Sequence, residues 1–269
     1  MQKKGLNVNL ENLSNENIIH IKDNNVEYIQ FKKLLEYKDK IRHCYTMKCS
    51  DYKEDDGENY KRLYNSLELD YDKLVRIQHQ IHSNFVKIVD NENEIYTNID
   101  GLITNKEKIS LSLRFADCTP IYLYDPVENV IGNIHSGWKG TVQKIGVEGV
   151  KKLIEEFGCK AENIIACIGP AIGKCHFEVD EDVKNIFENT FSYMNINGEI
   201  IQKGEIKEGK QKYFIDTNLI NKKMLEKIGL KSENIIESNI CTVCNSNLLH
   251  SYRVDKEKSG RNTAIIGFI

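Results

Sequence analysis

Residues 109–158 read ISLSLRFADCTPIYLYDPVENVIGNIHSGWKGTVQKIGVEGVKKLIEEFG, and this one stretch carries two periods. ISLSLRFADC, PIYLYDP and VIGNIH are three β-rich runs in close succession. The short connections between them predict a substantially antiparallel sheet. Over residues 140–157 the period changes: Val142, Ile145, Val150, Leu153, Ile154 and Phe157 recur at helical spacing, and Gly158 follows as a stop. Strand, strand, strand, helix is the grammar of a sheet covered by a helix.

The flanks extend this pattern. Upstream, IIHIKD and VEYIQF read as a hairpin about Asn24-Asn25, and RHCYTMK as a further strand. SDYKEDDGEN is an acidic loop and YKRLYNSLELD a helix. LVRIQHQIHS and FVKIVD follow, separated by Ser83-Asn84, then DGLITN with turn residues at both ends. Downstream, NIIACIGP is a strand and DEDVKNIFENTF a helix with acidic residues in its first turn, favourable to the helix dipole. DTNLINKKMLEKIG is a helix capped by Asp216 or Thr217 and stopped at Gly229. NIIES and TAIIGFI are late strands, and residues 194–212 an exposed hairpin or loop. There is no internal repeat and no linker rich in Pro, Gly or Ser. The expectation is one α/β (α+β) domain over residues 1–269 with a mixed sheet, the first 40 residues forming a β-hairpin extension.

The 269 residues, 40% of them hydrophobic, suffice for one large core. A net charge of −3 gives no basic field to attract nucleic acid or an anionic membrane. No apolar run approaches the roughly 20 residues of a membrane helix. The N-terminus has no apolar core of a secretory signal, so a cytoplasmic protein is expected. Eight cysteines in such a chain are read mostly as small buried hydrophobes rather than a disulfide framework. Cys241-x-x-Cys244 has no second CxxC, so core or incidental thiols are expected there rather than zinc.

The chemistry gathers on GNIHSGWKGT, residues 132–141. A phosphate loop of the GxxxxGK[ST] type is absent, because here the lysine precedes the second glycine. Gly137 to Thr141 nonetheless opens the expected long helix, whose free amides and Lys139 favour an anion. His82, Cys118 and His135 sit at or near expected strand ends. Two histidines and a cysteine supply three zinc ligands and leave one position open, the catalytic pattern. Cys118 and His135 equally suit a thiolate–imidazole pair of a cysteine hydrolase. The second histidine, His82, favours the metal.

Five stretches make a resemblance specific: Gln80-Ile-His82-Ser, Asp100-Gly-Leu-Ile-Thr104, Ala116-Asp-Cys118-Thr-Pro120, Ile134-His135-Ser-Gly-Trp-Lys-Gly-Thr141 and Gly169-Pro-Ala-Ile-Gly173. Cys241-Thr242, Ser251-Tyr-Arg253 and Gly260-Arg261 fit as well. Over roughly residues 40–269 the chain resembles the YfiH-type, laccase-domain family of purine nucleoside phosphorylases, long described as polyphenol oxidases. The resemblance implies a single-domain layered sandwich of mixed β-sheets flanked by helices. It implies one zinc held by His82, Cys118 and His135. It implies phosphorolysis of adenosine, inosine, guanosine and methylthioadenosine, and deamination of adenosine. Substrate contacts are expected from Lys139, Trp138, Arg253 and Arg261. Asp117 is read as supporting the ligands from behind or capping the backbone rather than as a general base, and Glu178 as a weaker candidate acid. The chain departs from the family pattern at Ser83 for Gly, Ser136 for Ala, Lys139 for Arg, and Val254 for a second Arg. Lys139 keeps the charge but loses the two-pronged guanidinium.

Besides the cysteine hydrolase, two rivals stand beside this reading. A copper polyphenol oxidase needs many histidines, and the seven here are scattered, although a single Cu2+ outcompetes Zn2+ by affinity order. A non-enzymatic binding protein is the other.

Overall fold

The computed structural model describes residues 12–23, 26–52, 57–194 and 198–269. The expected Asn24-Asn25 turn and part of the acidic loop lie outside these residues. The strands are β1 (Ile18–Asp23), β2 (Val26–Phe31), β3 (Ile41–Thr46), β4 (Leu74–Arg76) and β5 (Val86–Ile88). They continue as β6 (Gly101–Thr104), β7 (Ser110–Phe115), β8 (Thr119–Asp125), β9 (Val130–Ser136) and β10 (Ile165–Ile168). The last five are β11 (Glu178–Val179), β12 (Ile201–Lys207), β13 (Lys210–Ile215), β14 (Ile235–Glu237) and β15 (Asn262–Phe268). The helices are α1 (Lys32–Leu35), α2 (Gly57–Leu67), α3 (Trp138–Val142), α4 (Ile145–Phe157), α5 (Glu181–Thr190), α6 (Thr217–Lys227) and α7 (Tyr252–Asp255).

Two six-stranded sheets, ordered β1-β2-β3-β15-β7-β4 and β14-β10-β8-β9-β6-β5, stack face to face. Most neighbours are antiparallel; β4–β7, β5–β6 and β10–β14 are parallel. Strands β8 and β9 are buried along their whole length because both faces are covered, which explains their near-continuous apolar sequence. The two-residue alternation sorts their side chains. Tyr122, Tyr124 and Ile131 enter the core between the sheets, with Leu113, Phe115 and Ile266 from the first sheet. Ile121, Leu123 and Ile134 point the other way, onto Ile145, Val150 and Leu153 of α4 and Leu225 of α6. On the far side of the first sheet, Tyr60, Leu63, Tyr64 and Leu67 of α2 cover Val26, Tyr28, Cys44 and Ile265. The result is four layers: helix, sheet, sheet, helix. This is the single-domain sandwich of mixed sheets and flanking helices that the resemblance implies. A third sheet, β11-β13-β12, packs with α5 and α6 on a fourth apolar cluster.

Local signals account for the boundaries. Asp216 caps α6 by accepting from the Leu219 amide at 2.9 Å. Gly158 ends α4 at φ 73, a left-handed conformation that glycine adopts without a Cβ clash. Two expectations need correction. The helix expected over 140–157 is broken: Lys144, at φ 62 and ψ 38, turns the chain between α3 and α4. Both helices pack on β9 and α6; α4 runs on along the second sheet to β8, β6 and β5, while α3 also meets α5. The segment holding His82 is irregular between β4 and β5 rather than strand, because its amides are drawn onto Asp100 instead of a ladder.

Candidate metal centre and cavity

Three neighbouring strand ends converge at one edge of the seam between the sheets. Pro120 pairs with His135 across β8 and β9, so Cys118, two residues before Pro120, lies beside that histidine. The amide of His135 donates to the Asp100 carbonyl at 2.7 Å, which places Asp100 at the start of β6. His135 is the last inward residue of β9 and lies 5.2 Å, centroid to centroid, from the Phe115 ring. His82 arrives from the loop and stands edge-on to His135, ring centroids 4.9 Å apart. Its Nε2 is 3.7 Å from Cys118 Sγ.

Asp100 organises this meeting. It is fully buried. Oδ1 accepts from His135 Nδ1 at 2.8 Å and from the His82 amide at 3.0 Å. Oδ2 accepts from the Ser83 amide at 2.7 Å, the Ser83 hydroxyl at 2.8 Å and the Ile81 amide at 3.3 Å. The wrapped loop forces His82 to φ 61, a left-handed conformation rare for a residue with a side chain. With Nδ1 held by the carboxylate, His135 presents Nε2 to Cys118 and His82.

One ligand atom from each of His82, Cys118 and His135 lies within 4.8 Å of the other two. A thiol and two imidazoles suit a borderline-soft cation such as zinc. Room for it depends on Gly137: a Cβ there would meet His82 Cδ2 at 2.6 Å and Cys118 Sγ at 3.2 Å. The electrostatics favour an ionised set. Burial pushes the Cys118 thiol up, but His135 and His82 outweigh it and hold it down, at about 6. Burial pushes His135 down, yet the Cys118 thiolate and Asp100 raise it to about 9. Burial also disfavours the Asp100 carboxylate, and its bonds to His135 and Ser83 override that, leaving it below the usual range.

The trio forms part of the wall of a cavity of about 920 Å³, large enough for a nucleoside. Lys139, Trp138, Arg253 and Arg261 line the same cavity. Lys139 is exposed, its Nζ 5.7 Å from the Trp138 ring centre. Trp138 is half-buried and packs toward Phe187, centroids 6.4 Å apart. Arg253 Nη1 donates to the carbonyls of His176 and Glu178, both at 3.1 Å. Arg261 Nη1 donates to the carbonyls of Ser259 and Gly260 at 3.0 and 2.9 Å. Asp117 also lines the cavity, and both of its carboxylate oxygens are engaged by the chain. It accepts from Thr242 Oγ1 at 2.5 Å and from the Arg253 amide at 2.6 Å, tying the Arg253 loop to the Cys118 turn. Glu178 is ion-paired with Lys207 at 2.5 Å. The anion cradle expected at the start of a long helix is not formed that way, since α3 is a single short turn of five residues.

Sequence reasoning gave no role to Asp100, which it noted only as the start of a matching stretch, and passed over Arg114 and Phe177. Arg114 and Phe177 line the cavity from β7 and from the loop before β11. Asp100 had a signal: an acid immediately before a buried strand, GLIT, must find donors.

Comparisons with known proteins bear on the family and the fold. YlmD of Bacillus subtilis, a purine nucleoside phosphorylase, is 35% identical over 161 residues, covering 60% of this chain and 55% of the relative. A purine nucleoside phosphorylase of Staphylococcus epidermidis is 35% identical over 159 residues, covering 59% and 56%. The match thus spans about half the length of these curated relatives. The crystal structure of a Bacillus licheniformis hypothetical protein, YfiH, superposes with TM-score 0.80 at 26% identity, over 93% of this chain and 99% of that one. YlmD from Geobacillus stearothermophilus superposes with TM-score 0.79 at 23% identity, over 92% and 97%, and shows the shared fold. Residues 44–269 match the family model described as multi-copper polyphenol oxidoreductase laccase, and the chain belongs to that family.

Proposed function

We propose that the chain is a zinc-dependent purine nucleoside phosphorylase. It would split adenosine, inosine, guanosine or methylthioadenosine with phosphate into free base and ribose-1-phosphate, and deaminate adenosine in the same cavity. The observation that carries the reading is the three-donor set of His82, Cys118 and His135 in the wall of a nucleoside-sized cavity that also holds Lys139, Arg253 and Arg261. The names of the relatives support the reaction class.

His82, Cys118 and His135 would hold the metal. When bound, it supplies Lewis-acid polarisation of an oxygen in the open position. Zinc fits two imidazoles and one thiolate with a fourth position free. Blue-copper centres use the same three donors and usually add a weak axial methionine, and among the described residues no methionine lines this cavity, although Gln78 and Gln80 do. In phosphorolysis a phosphate oxygen attacks C1′ while the purine departs. Lys139, Arg253 and Arg261 bind the phosphate and balance its charge. Trp138 and Phe177 offer apolar walls to the base. Holding phosphate and C1′ together makes the step effectively unimolecular. Membrane attachment is not part of this reading, since no described helix is long and apolar enough to cross a bilayer. Eight free thiols fit a reducing compartment, and we place the protein in the cytoplasm.

The test is chromatography of a nucleoside panel on zinc-replete protein with and without phosphate. Phosphate-dependent ribose-1-phosphate supports phosphorolysis, and phosphate-independent inosine from adenosine supports deamination. Wild type and Cys118→Ala leaving every nucleoside unchanged would mean a binding protein. One copper per chain with oxidation of a phenolic dye would mean the oxidase. Turnover that survives chelation but not thiol alkylation would mean a cysteine hydrolase.

A further inference from the structure

Outside the cavity, two segments far apart in sequence meet. The loop after β10 brings Cys175 and His176, and the loop after β14 brings Cys241 and Cys244. A parallel bridge between Ala171 and Cys241 aligns them, and the Thr242 amide donates to the Ala171 carbonyl at 3.0 Å. Four donor atoms then face one another. His176 Nδ1 lies 3.2 Å from Cys175 Sγ, 3.6 Å from Cys241 Sγ and 3.5 Å from Cys244 Sγ. Cys175 Sγ and Cys244 Sγ are 3.6 Å apart.

These are four of the six edges of a coordination tetrahedron, and the other two lie within 4.8 Å. Zn–S bonds of about 2.3 Å and Zn–N bonds of about 2.0–2.1 Å give edges of about 3.8 Å between sulfurs and about 3.6 Å between sulfur and nitrogen. The neighbourhood also supports a thiolate. The Gly173 amide donates to Cys241 Sγ at 3.2 Å, an outer bond of the kind that steadies metal-bound sulfur. A Cβ on Gly173 would press on Cys175 Sγ and on Cys241 Cβ, both at 3.2 Å, so glycine keeps the two thiol-bearing loops close.

We propose that Cys175, His176, Cys241 and Cys244 form a second metal site, closed and structural, that takes a thiophilic divalent cation with zinc as the natural occupant. Four protein donors leave no open position, in contrast to the three around His82. None of the four lines the cavity. The clamp still reaches the cavity through the backbone. The carbonyls of His176 and Glu178 fix Arg253, and Phe177 between them lies 5.8 Å under that guanidinium. The second metal therefore pins the cavity wall formed by Phe177 and Arg253.

The sequence expectation of incidental thiols at Cys241 and Cys244 rested on the absence of a second CxxC, and the other half of this cluster does not take that form. It is a Cys-His pair from a different loop, visible only after folding.

The test is metal stoichiometry of the full chain, reduced, loaded with Zn2+ and desalted. Wild type is expected to retain about two zinc ions per chain, and Cys118→Ala and Cys175→Ser/Cys244→Ser about one each. Cys175 and Cys244 are exposed, so serine there leaves the core intact. As a second readout, Cys118→Ala loaded with Co2+ should show intense thiolate-to-cobalt charge-transfer absorption, lost when Cys175 and Cys244 are also serine. A folded Cys118→Ala protein with neither zinc nor the cobalt spectrum overturns the proposal. So does a single zinc in wild type that Cys175→Ser/Cys244→Ser retains, or a Cys175–Cys244 disulfide whose reduction yields no metal binding. These readouts do not use nucleoside turnover, so this site can fail while the phosphorylase reading stands, and the reverse.

Discussion

Asp100 Oδ1 lies 2.8 Å from His135 Nδ1, and the same oxygen takes the amide of His82 at 3.0 Å. One buried carboxylate thus orients two of the three candidate ligands, one through its ring and one through its backbone. Asp100→Asn keeps the size but halves the acceptor capacity and removes the charge. Metal affinity should fall by about 10- to 100-fold, the usual cost of losing a carboxylate behind a ligating histidine. Competition against a chelator measures it. An unchanged affinity would mean that Asp100 only shapes the loop.

The charge on His135 leads to a second outcome. In metal-free protein the Cys118 thiol, held at about 6 against burial by His135 and His82, is ionised above that value. Iodoacetamide labelling of Cys118, followed by peptide mass mapping, should therefore be fast at neutral pH and fall as pH drops through about 6. Asp100→Asn should move the midpoint up, because His135 loses one of the two partners, Cys118 and Asp100, that keep it protonated. Added Zn2+ should protect the thiol. A midpoint near an ordinary thiol would break the alternating-charge picture.

Gly137→Ala isolates the space around the ligands. The backbone there, at φ −69 and ψ 170, is comfortable for alanine. The added methyl would stand 2.6 Å from His82 Cδ2 and 3.2 Å from Cys118 Sγ. His82 is exposed and can swing aside, so the fold should persist while metal affinity drops by on the order of tenfold or more. Equal zinc binding by the variant and wild type would show that the ligands do not converge beneath Gly137.

These residues also show what a sequence exposes and what it hides. The alternation in PIYLYDP and VIGNIH sorts side chains into two cores, and β8 and β9 follow it. The cap at Asp216 and the stop at Gly158 are local signals and are obeyed locally. The break at Lys144 is not legible locally, since helical spacing runs straight through it; beyond it α4 takes its own course along β9, β8, β6 and β5. His82 was legible as a donor, but its loop was not, because the structure there comes from one distant carboxylate rather than from periodicity. Cys175 and His176 were silent for the same reason. Their partners lie on another loop, and no spacing rule links the two.

His43 gives a prediction about the fold alone. It is buried between the sheets, stacked near Phe31 and edge-on to Tyr122, and its Nε2 accepts from the Phe31 amide at 2.8 Å. That bond needs an unprotonated nitrogen. Burial, which disfavours the charged ring, pushes its pKa from 6.5 down to about 3. Above 6.5 the ring is neutral in both the folded and unfolded chain, so it contributes no pH slope there. Below 6.5 the unfolded chain takes up a proton that the folded one refuses, until about 3. Stability should therefore fall with falling pH across that window, approaching about 1.4 kcal/mol per pH unit from this residue. His43→Gln retains an acceptor for the Phe31 amide but cannot titrate. Denaturant unfolding of both proteins from about pH 7 to about pH 4.5 cancels the carboxylate contributions in the difference. The gap between wild type and His43→Gln should change steadily in favour of the variant as pH falls. A pH-independent gap would mean that His43 takes up its proton in the folded state after all.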